Sequence, residues 1–470
     1  ENITLDYNFG LGDGLNGSLT VSSSMIVNDY DYLTGNESTN DSIILVNSGT
    51  AFSNGDEIMI IQMQNGTFSS PEATTGLYEF RTVSSGGGTT TLTLDSNLQY
   101  GYYSGLFNQT EGNSSVAQIV RVPNYANVTV QNGGIITASF WDGWTGGIII
   151  FRANDTVDVQ SGGVINATGF GYRGGDAGYT AEYDSGHGGE SLYGLGGEGN
   201  AITSAGGGGG GGNSSFDTNG SAGLYGGGGG GGYAYSIPTL GGKGSNTGGA
   251  GGGAGSYADG GGGGYGTGGI AGCGAMYQPS FAVESCGVNG STDSSGAGAA
   301  GAGAMGGGGG GGGSYGSDDL NLLYFGSAGG GGWNSASNIG GSGGGIVYIL
   351  ANNISVSGSI ESKGGDGGNN SAGYSHAGSG AGGSILLKGV NVDIGTNLVN
   401  TSGGISFPDP KGNYGEVSGG GNGRIAVYYN VLSGTSSGAA YTSGVYYSEG
   451  NYTSQSLDAG AAARWENISW

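Results

Sequence analysis

Arg173, Asp176, Glu182, Asp184 and Glu190 concentrate several of the chain's scarce charged side chains in one short stretch, with His187 between the last two. Carboxylates beside an arginine are what polysaccharide hydrolysis or elimination requires, one group giving a proton and another taking one. His187 has Asp184 and Glu190 three residues to either side, yet no second histidine or cysteine joins them, so a zinc set is incomplete. His376 stands in a Gly/Ser-rich loop without an acidic or cysteine neighbour at ligand spacing. Both histidines read as solvated polar residues. The sequence contains no Gly-x-Ser-x-Gly elbow, His-Glu-x-x-His or Walker phrase. With 119 glycines, its Gly-x-Gly-x-x-Gly matches carry no information. No catalytic set is therefore assigned, and the protein is not expected to be an enzyme. Calcium is the more plausible ion, because Gly174-Gly175-Asp176-Ala177 and Gly364-Gly365-Asp366-Gly367-Gly368 set carboxylates beside backbone carbonyls open to coordination. A single aspartate at each place is a weak signal, and no cofactor is expected. Trp141, Trp144 and Trp333 could stack on sugars, although covering apolar edges is the commoner use of such side chains.

Two further residue types carry chemistry. Cys273 and Cys286 are the only cysteines and read as a disulfide, worth roughly 3 kcal/mol through loop entropy. Asn-x-Ser/Thr acceptor sites for N-glycans occur at Asn2, Asn16, Asn36, Asn40, Asn65, Asn108, Asn113, Asn127, Asn154, Asn166, Asn213, Asn219, Asn289, Asn353, Asn369, Asn400, Asn451 and Asn467. An Asn- and Ser-rich chain produces some of these by chance. The remainder point to a glycosylated, exported protein, best suited to an archaeon, with a eukaryote or virus as the second choice. Glu1-Asn2-Ile3-Thr4 reads as a mature terminus after signal removal.

Ten basic against 35 acidic residues give a net charge of -25, which argues against nucleic acid and anionic membranes as partners. Charged residues are only 10% of the chain, so Ser, Thr, Asn and Tyr must supply most of the solvated surface. No apolar run of about 20 residues exists to span a bilayer.

The elements that would position these groups are strands. Residues 1–126 read as short β-rich runs, among them Leu19–Val21, Ser42–Val46, Glu57–Met63, Tyr78–Val83, Thr89–Leu94 and Ala117–Val122, separated by Gly/Asn/Asp/Ser turns. A small antiparallel sandwich or barrel is expected there. From Asn127 a phrase repeats: Val128–Ala138 matches Val157–Ala167 almost position by position, returns at Ile354–Ser362 and, more loosely, at Val392–Leu398. Buried-looking strands precede the last three, and Arg424–Tyr429 is a further one. Strand, tight turn and strand repeated in this way is the pattern of a parallel β-solenoid, in which coils bury a continuous aliphatic core. An antiparallel sandwich with look-alike hairpins is the alternative.

Between Ala205 and Gly345 lie the runs Gly206–Gly212, Gly226–Gly232, Gly260–Gly264, Gly306–Gly313 and Gly329–Gly332, punctuated by aromatic residues. A flexible linker is one reading. The other is a bundle of polyproline-II-like glycine helices, about 3 residues per turn, hydrogen-bonded to one another because such a helix satisfies none of its own backbone groups. Tyr225, Tyr233, Tyr235, Tyr265, Tyr315 and Trp333 would cap its surface. The stretch resembles the glycine-rich extracellular region of anaplastic lymphoma kinase and leukocyte tyrosine kinase, which implies a packing mode and not a receptor. Gly146–Phe151 followed by Gly169–Gly175, with Leu33-Thr34 and Gly55–Ile58, is similar to secreted adhesin-like surface proteins of bacteria and archaea. That resemblance implies location more than activity.

The expected organisation is thus all-β: residues 1–126 an N-terminal β-domain, 127–175 solenoid-like coils, 176–342 a polyglycine-II insertion, 343–430 further coils, and 431–470 a C-terminal β-segment able to complete a neighbouring subunit's sheet. The function expected is that of a glycosylated extracellular structural protein, a self-assembling subunit of a surface filament, sheath or envelope layer. An adhesin or carbohydrate-binding module is the alternative, and a polysaccharide-active enzyme the least favoured.

Overall fold

The computed structural model describes residues 10–65, 74–107, 114–177, 186–196, 249–254, 258–273, 286, 289, 309, 311–332, 337–368, 376–405, 407–408 and 416–444. Among the described residues every regular element is a strand.

One sheet is antiparallel, with strands Tyr30–Tyr32, Ser114–Arg121, Glu57–Asn65, Tyr78–Ser85, Thr91–Leu94 and Ile43–Leu45 side by side in that order. It curls until Leu33, beyond the first strand, bridges Val46, beyond the last. Leu33, Ile44, Phe52, Ile58, Ile60 and Leu92 fill the inside. Because side chains alternate along a strand, Met59, Ile61 and Met63 point the other way. They pack there with Ile148, Ile150 and Tyr348 of the second sheet. The unbroken apolar run Ile58–Ile61 follows from burial on both faces.

The second sheet is parallel and nearly closes on itself. Ile148–Val159, Ile346–Val356 and Ser384–Asn400 lie in register, Val157 beside Ile354 beside Val392. Short strands after the turns stack likewise, Ile136 beside Ile165 beside Ile360 beside Val399. The 17-residue strand Ser384–Asn400 pairs with both Ile346–Val356 and Ser359–Glu361, which joins the two sides. Val130, Val159, Val356, Ile136, Ile165 and Ile360 form the enclosed core. The repeated phrase is the unit of this stack: aliphatic residues two apart face inward, and Gly133 and Gly162 take the positive φ that its turns require.

Two features differ from the sequence reading. Leu19–Val21 and Ser24–Ile26 do not belong to the antiparallel unit; they pair in parallel with Val128–Val130 and Ile135–Thr137. The first coil therefore precedes the curled sheet, which is inserted between the first and second coils. The segment after residue 430 is also partly internal, with Val431–Ser437 and Ala440–Ser443 continuing the stack.

The described glycine segments lie against this stack and exchange backbone hydrogen bonds. Along 377–383 successive N–H groups donate to the carbonyls of Gly368, Gly330, Ser418, Gly365, Ser327, Gly421 and Ser362. Positions three apart thus reach the same neighbouring segment. Gly260 and Gly263 likewise donate to His376 and Ser379, while Gly261 and Gly264 donate to Gly252 and Gly249. The lattice includes glycines beyond residue 342, such as Gly364–Gly368 and Gly419–Gly423, so it is not confined to one inserted block. Its packing excludes side chains: a Cβ on Gly343 would lie 1.7 Å from the Gly326 carbonyl oxygen. Tyr265 and Tyr315 do not cap its surface, and Tyr324 and Phe325 lie beside them. They are buried between the lattice and the parallel sheet. Tyr315 donates to the Phe325 carbonyl (2.7 Å), and Tyr172 donates to the Met63 carbonyl (2.5 Å). Burial raises the pKa of Tyr265 to about 12. The runs Gly206–Gly212 and Gly226–Gly232, together with Tyr225, Tyr233 and Tyr235, lie outside the described residues.

Candidate functional site

The acidic stretch singled out for catalysis is resolved around Arg173 and Glu190, whereas Glu182, Asp184 and Trp333 lie outside the described residues. Arg173 stands at the start of a glycine segment and Glu190 at the end of another. Gly175 donates to Gly329, and Ala328 donates to the Glu190 carbonyl, so the lattice holds both segments in place.

Glu190 is buried. Its Oε2 accepts from the Arg173 backbone N (2.8 Å) and Nε (3.0 Å). Its Oε1 accepts from Arg173 Nη2 (3.1 Å), Gln64 Nε2 (2.9 Å) and Trp141 Nε1 (3.3 Å). Both carboxylate oxygens are thus engaged, by five donors in all, three of them from Arg173. It ties together the end of an antiparallel strand (Gln64), the loop before Ile148 (Trp141) and the lattice (Arg173). The geometry is that of a brace. Asp176 and His187 line the same recess, of about 320 Å³, but they meet through the backbone, His187 N donating to the Asp176 carbonyl (2.9 Å). The structure thus brings Arg173, Asp176, His187 and Glu190 to one place, with the enclosed Glu190 carboxylate saturated.

The other candidates are dispersed. Asp366 is exposed and accepts from Ile405 N (2.9 Å). Among the described residues no three His, Cys, Asp or Glu side chains are grouped so as to hold a metal ion. Trp141 is buried, and Trp144 lies against Tyr32 with ring centroids 4.7 Å apart. His376 is not a solvated loop residue: it stacks on Phe407 at 4.4 Å with its Nδ1 buried and unpartnered, and burial lowers its pKa. Its backbone N donates to the buried Asp259 (2.6 Å). Cys273 and Cys286 form the expected disulfide beside Phe407 and Val417.

The acceptor asparagines divide by environment. Asn16, Asn36, Asn40, Asn154 and Asn289 are exposed, and Asn127, Asn166, Asn353 and Asn400 are half-buried. Asn65 is buried, donating to Thr74 Oγ1 (2.7 Å) and accepting from Ser115 Oγ (3.2 Å). Asn2, Asn108, Asn113, Asn213, Asn219, Asn369, Asn451 and Asn467 lie outside the described residues.

Sequence reasoning missed Lys388. Its ammonium lies 5.5 Å from the Tyr348 ring and 5.1 Å from the Tyr428 ring, aromatic residues of the coils on either side. Burial first, and then the Arg152 charge, pull its pKa down to about 8. The signal lay in register alone, since Lys388 stands between Leu350 and Tyr428 across the stack.

No family model, curated protein or solved structure matches this chain.

Proposed function

We propose that the protein is a glycosylated extracellular structural protein, the repeating subunit of a surface filament, sheath or envelope layer, and that its glycine lattice is a bundle of polyglycine-II helices. The observation that carries this reading is the three-residue recurrence of backbone donors along 377–383 and Gly260–Gly264, the period of a polyproline-II-type helix. A body held by backbone pairing on several sides resists local opening, as a load-bearing layer must. The disulfide is consistent with an extracellular location. Among the described residues no helix is long and apolar enough to cross a membrane.

Assembly through strand edges is supported at the end of the stack. Among the described residues Val431–Ser437 and Ala440–Ser443 each pair on one side only; they contain no charged residue, and Val431 is 60% exposed. Natural edge strands are usually blunted by charge or proline. Electron microscopy of native surface preparations is the test: ordered polymers are expected, and Val431→Lys with Tyr441→Lys should abolish them while leaving the circular dichroism spectrum intact. Finding only monomers at every concentration would refute the reading. A second reading, a carbohydrate-binding surface protein, is favoured by Phe140, 71% exposed and stacked on Phe170 at 4.3 Å with a 7° interplanar angle. Saturable binding on a glycan array, lost in Phe140→Ala, would favour it.

A further inference from the structure

One corner of the parallel stack carries a row of asparagines. Asn353 pairs in register with Thr156 on one side and with Asn391 on the other. Their amides form a ladder: Asn391 Nδ2 donates to Asn353 Oδ1 (2.9 Å), and Asn353 Nδ2 donates to Asp155 Oδ1 (3.1 Å). Asn127 extends it, its Oδ1 accepting from Thr156 N (3.2 Å). Such a row satisfies side-chain amides coil by coil at the strand spacing of about 4.8 Å.

The strand Ile148–Val159 breaks the row with a bulge. Ala153 pairs with Ala351 and Thr156 with Asn353, so Asn154 and Asp155 stand opposite a single residue. A bulge re-aims side chains. Here Asp155 takes the ladder position and Asn154 is turned out of it, exposed, its amide making no hydrogen bond among the described residues. Asn154-Asp155-Thr156 is an acceptor triplet, and so is Asn353-Ile354-Ser355 one coil away. With Asn127-Val128-Thr129 the same chemical motif occurs three times on one corner: Asn353 has its Nδ2 already donating, Asn127 is half-buried with its Oδ1 in the row, and Asn154 alone is exposed.

We infer that Asn154 is an N-glycan acceptor of the stack, and that Asn353 and Asn65 stay unmodified because their amide nitrogens are used by the fold. The assignment rests on the extracellular, glycosylated reading above. In the transfer, a bond forms between Asn154 Nδ2 and C1 of the sugar as the C1–O bond to a lipid-linked phosphate donor breaks. The amide loses one proton to base, and the lipid phosphate leaves with the bonding electrons. Asn40, exposed and with a side chain that makes no hydrogen bond among the described residues, follows the same rule on the curled sheet. An oligosaccharide on Asn353 would occupy the place where the Asp155 carboxylate receives its donor, in a row where the next coil is one strand spacing away.

The test is site-resolved glycopeptide mass spectrometry on the full-length protein taken from its native surface, with Asn154→Gln and Asn353→Gln variants expressed in the same cells. Asn154 and Asn40 should carry glycan, and Asn65 and Asn353 none. Asn154→Gln should lose the mass of one glycan with an unchanged melting midpoint. Asn353→Gln should keep the full mass and melt a few degrees lower, as the ladder loses a rung. A glycan on Asn65 or Asn353, or a bare Asn154 beside other occupied sites, overturns the assignment and leaves the glycosylated reading standing. A chain with no glycan at any site overturns both.

Discussion

Replacing Gly378 with alanine tests whether the lattice is held by contact between bare backbones. A Cβ on Gly378 would stand 1.9 Å from the Gly261 carbonyl oxygen, whereas real Cβ contacts essentially never fall under 3.0 Å. The segment 376–383 must then withdraw from Gly260–Gly264 by about 1 Å or more, since both partners are buried backbone with no rotamer to yield. That displacement breaks the bonds Gly260 N to His376 O (2.9 Å) and Gly263 N to Ser379 O (2.8 Å). Each buried donor left without a partner costs about 1–3 kcal/mol, so Gly378→Ala should destabilise by about 2–6 kcal/mol. Gly35 is the control, for nothing lies within 4 Å of a Cβ there and its φ is not positive. Gly35→Ala should be neutral or stabilise by up to about 1 kcal/mol, through the unfolded chain. Chemical denaturation followed by tryptophan fluorescence measures both. Hydrogen exchange resolved to 260–264 and 376–383 should show protection lost in Gly378→Ala alone. Equal midpoints for the two variants, or unprotected amides in the parent protein, would refute the lattice as a source of rigidity and remove the main support for a structural role.

Glu190→Gln should cost about 1–3 kcal/mol in urea unfolding, because the half-buried Arg173 loses its charge-assisted hydrogen bonds while solvent screens the charge left behind; a wild-type midpoint would show that Glu190 is no brace. Replacing Cys273 and Cys286 together by serine should cost about 3 kcal/mol, read as a denaturation midpoint that no longer responds to reductant. Lys388 has a folded pKa of about 8 against its ordinary 10.5, so between those values the unfolded chain binds more protons and stability rises with pH. The penalty is present in full below pH 8, and water on the open side trims it to about 1–2 kcal/mol. Lys388→Met should raise the melting midpoint at pH 7 and match wild type near pH 10; an equal gain at both pH values would rule out the titration.

Much of the architecture is legible in local pattern. Val128–Val130, Val157–Val159 and Ile354–Val356 are aliphatic at alternate positions and are followed by a glycine-containing turn, which is enough to predict stacked strands. The first coil, Leu19–Ile26, is not legible because Ser22-Ser23 stands where each later turn carries at least one glycine, as at Gly133-Gly134, Gly162-Gly163 and Gly358. The site was less legible. Acid-rich composition brought out Glu190, but its role depends on Gln64 and Trp141, 126 and 49 residues away. The tyrosines between glycine runs look like surface caps until the parallel sheet is seen to lie against them.

What the chain determines on its own is what short-range chemistry can encode: the all-β class, the glycine segments that have no side chain to bury, and a cysteine pair with only itself to bond. Tertiary structure decides which exposed-looking residues are enclosed. It turns Asn65 inward and Asn154 outward, saturates Glu190, and holds Lys388 between two tyrosines. The physical reason is register. For the strand residues Asn65, Asn154 and Lys388 the outcome depends on how segments far apart in sequence align across a strand spacing of about 4.8 Å, where a shift of one residue moves a side chain to the opposite face. For Glu190 it depends on how the glycine segments dock against those strands.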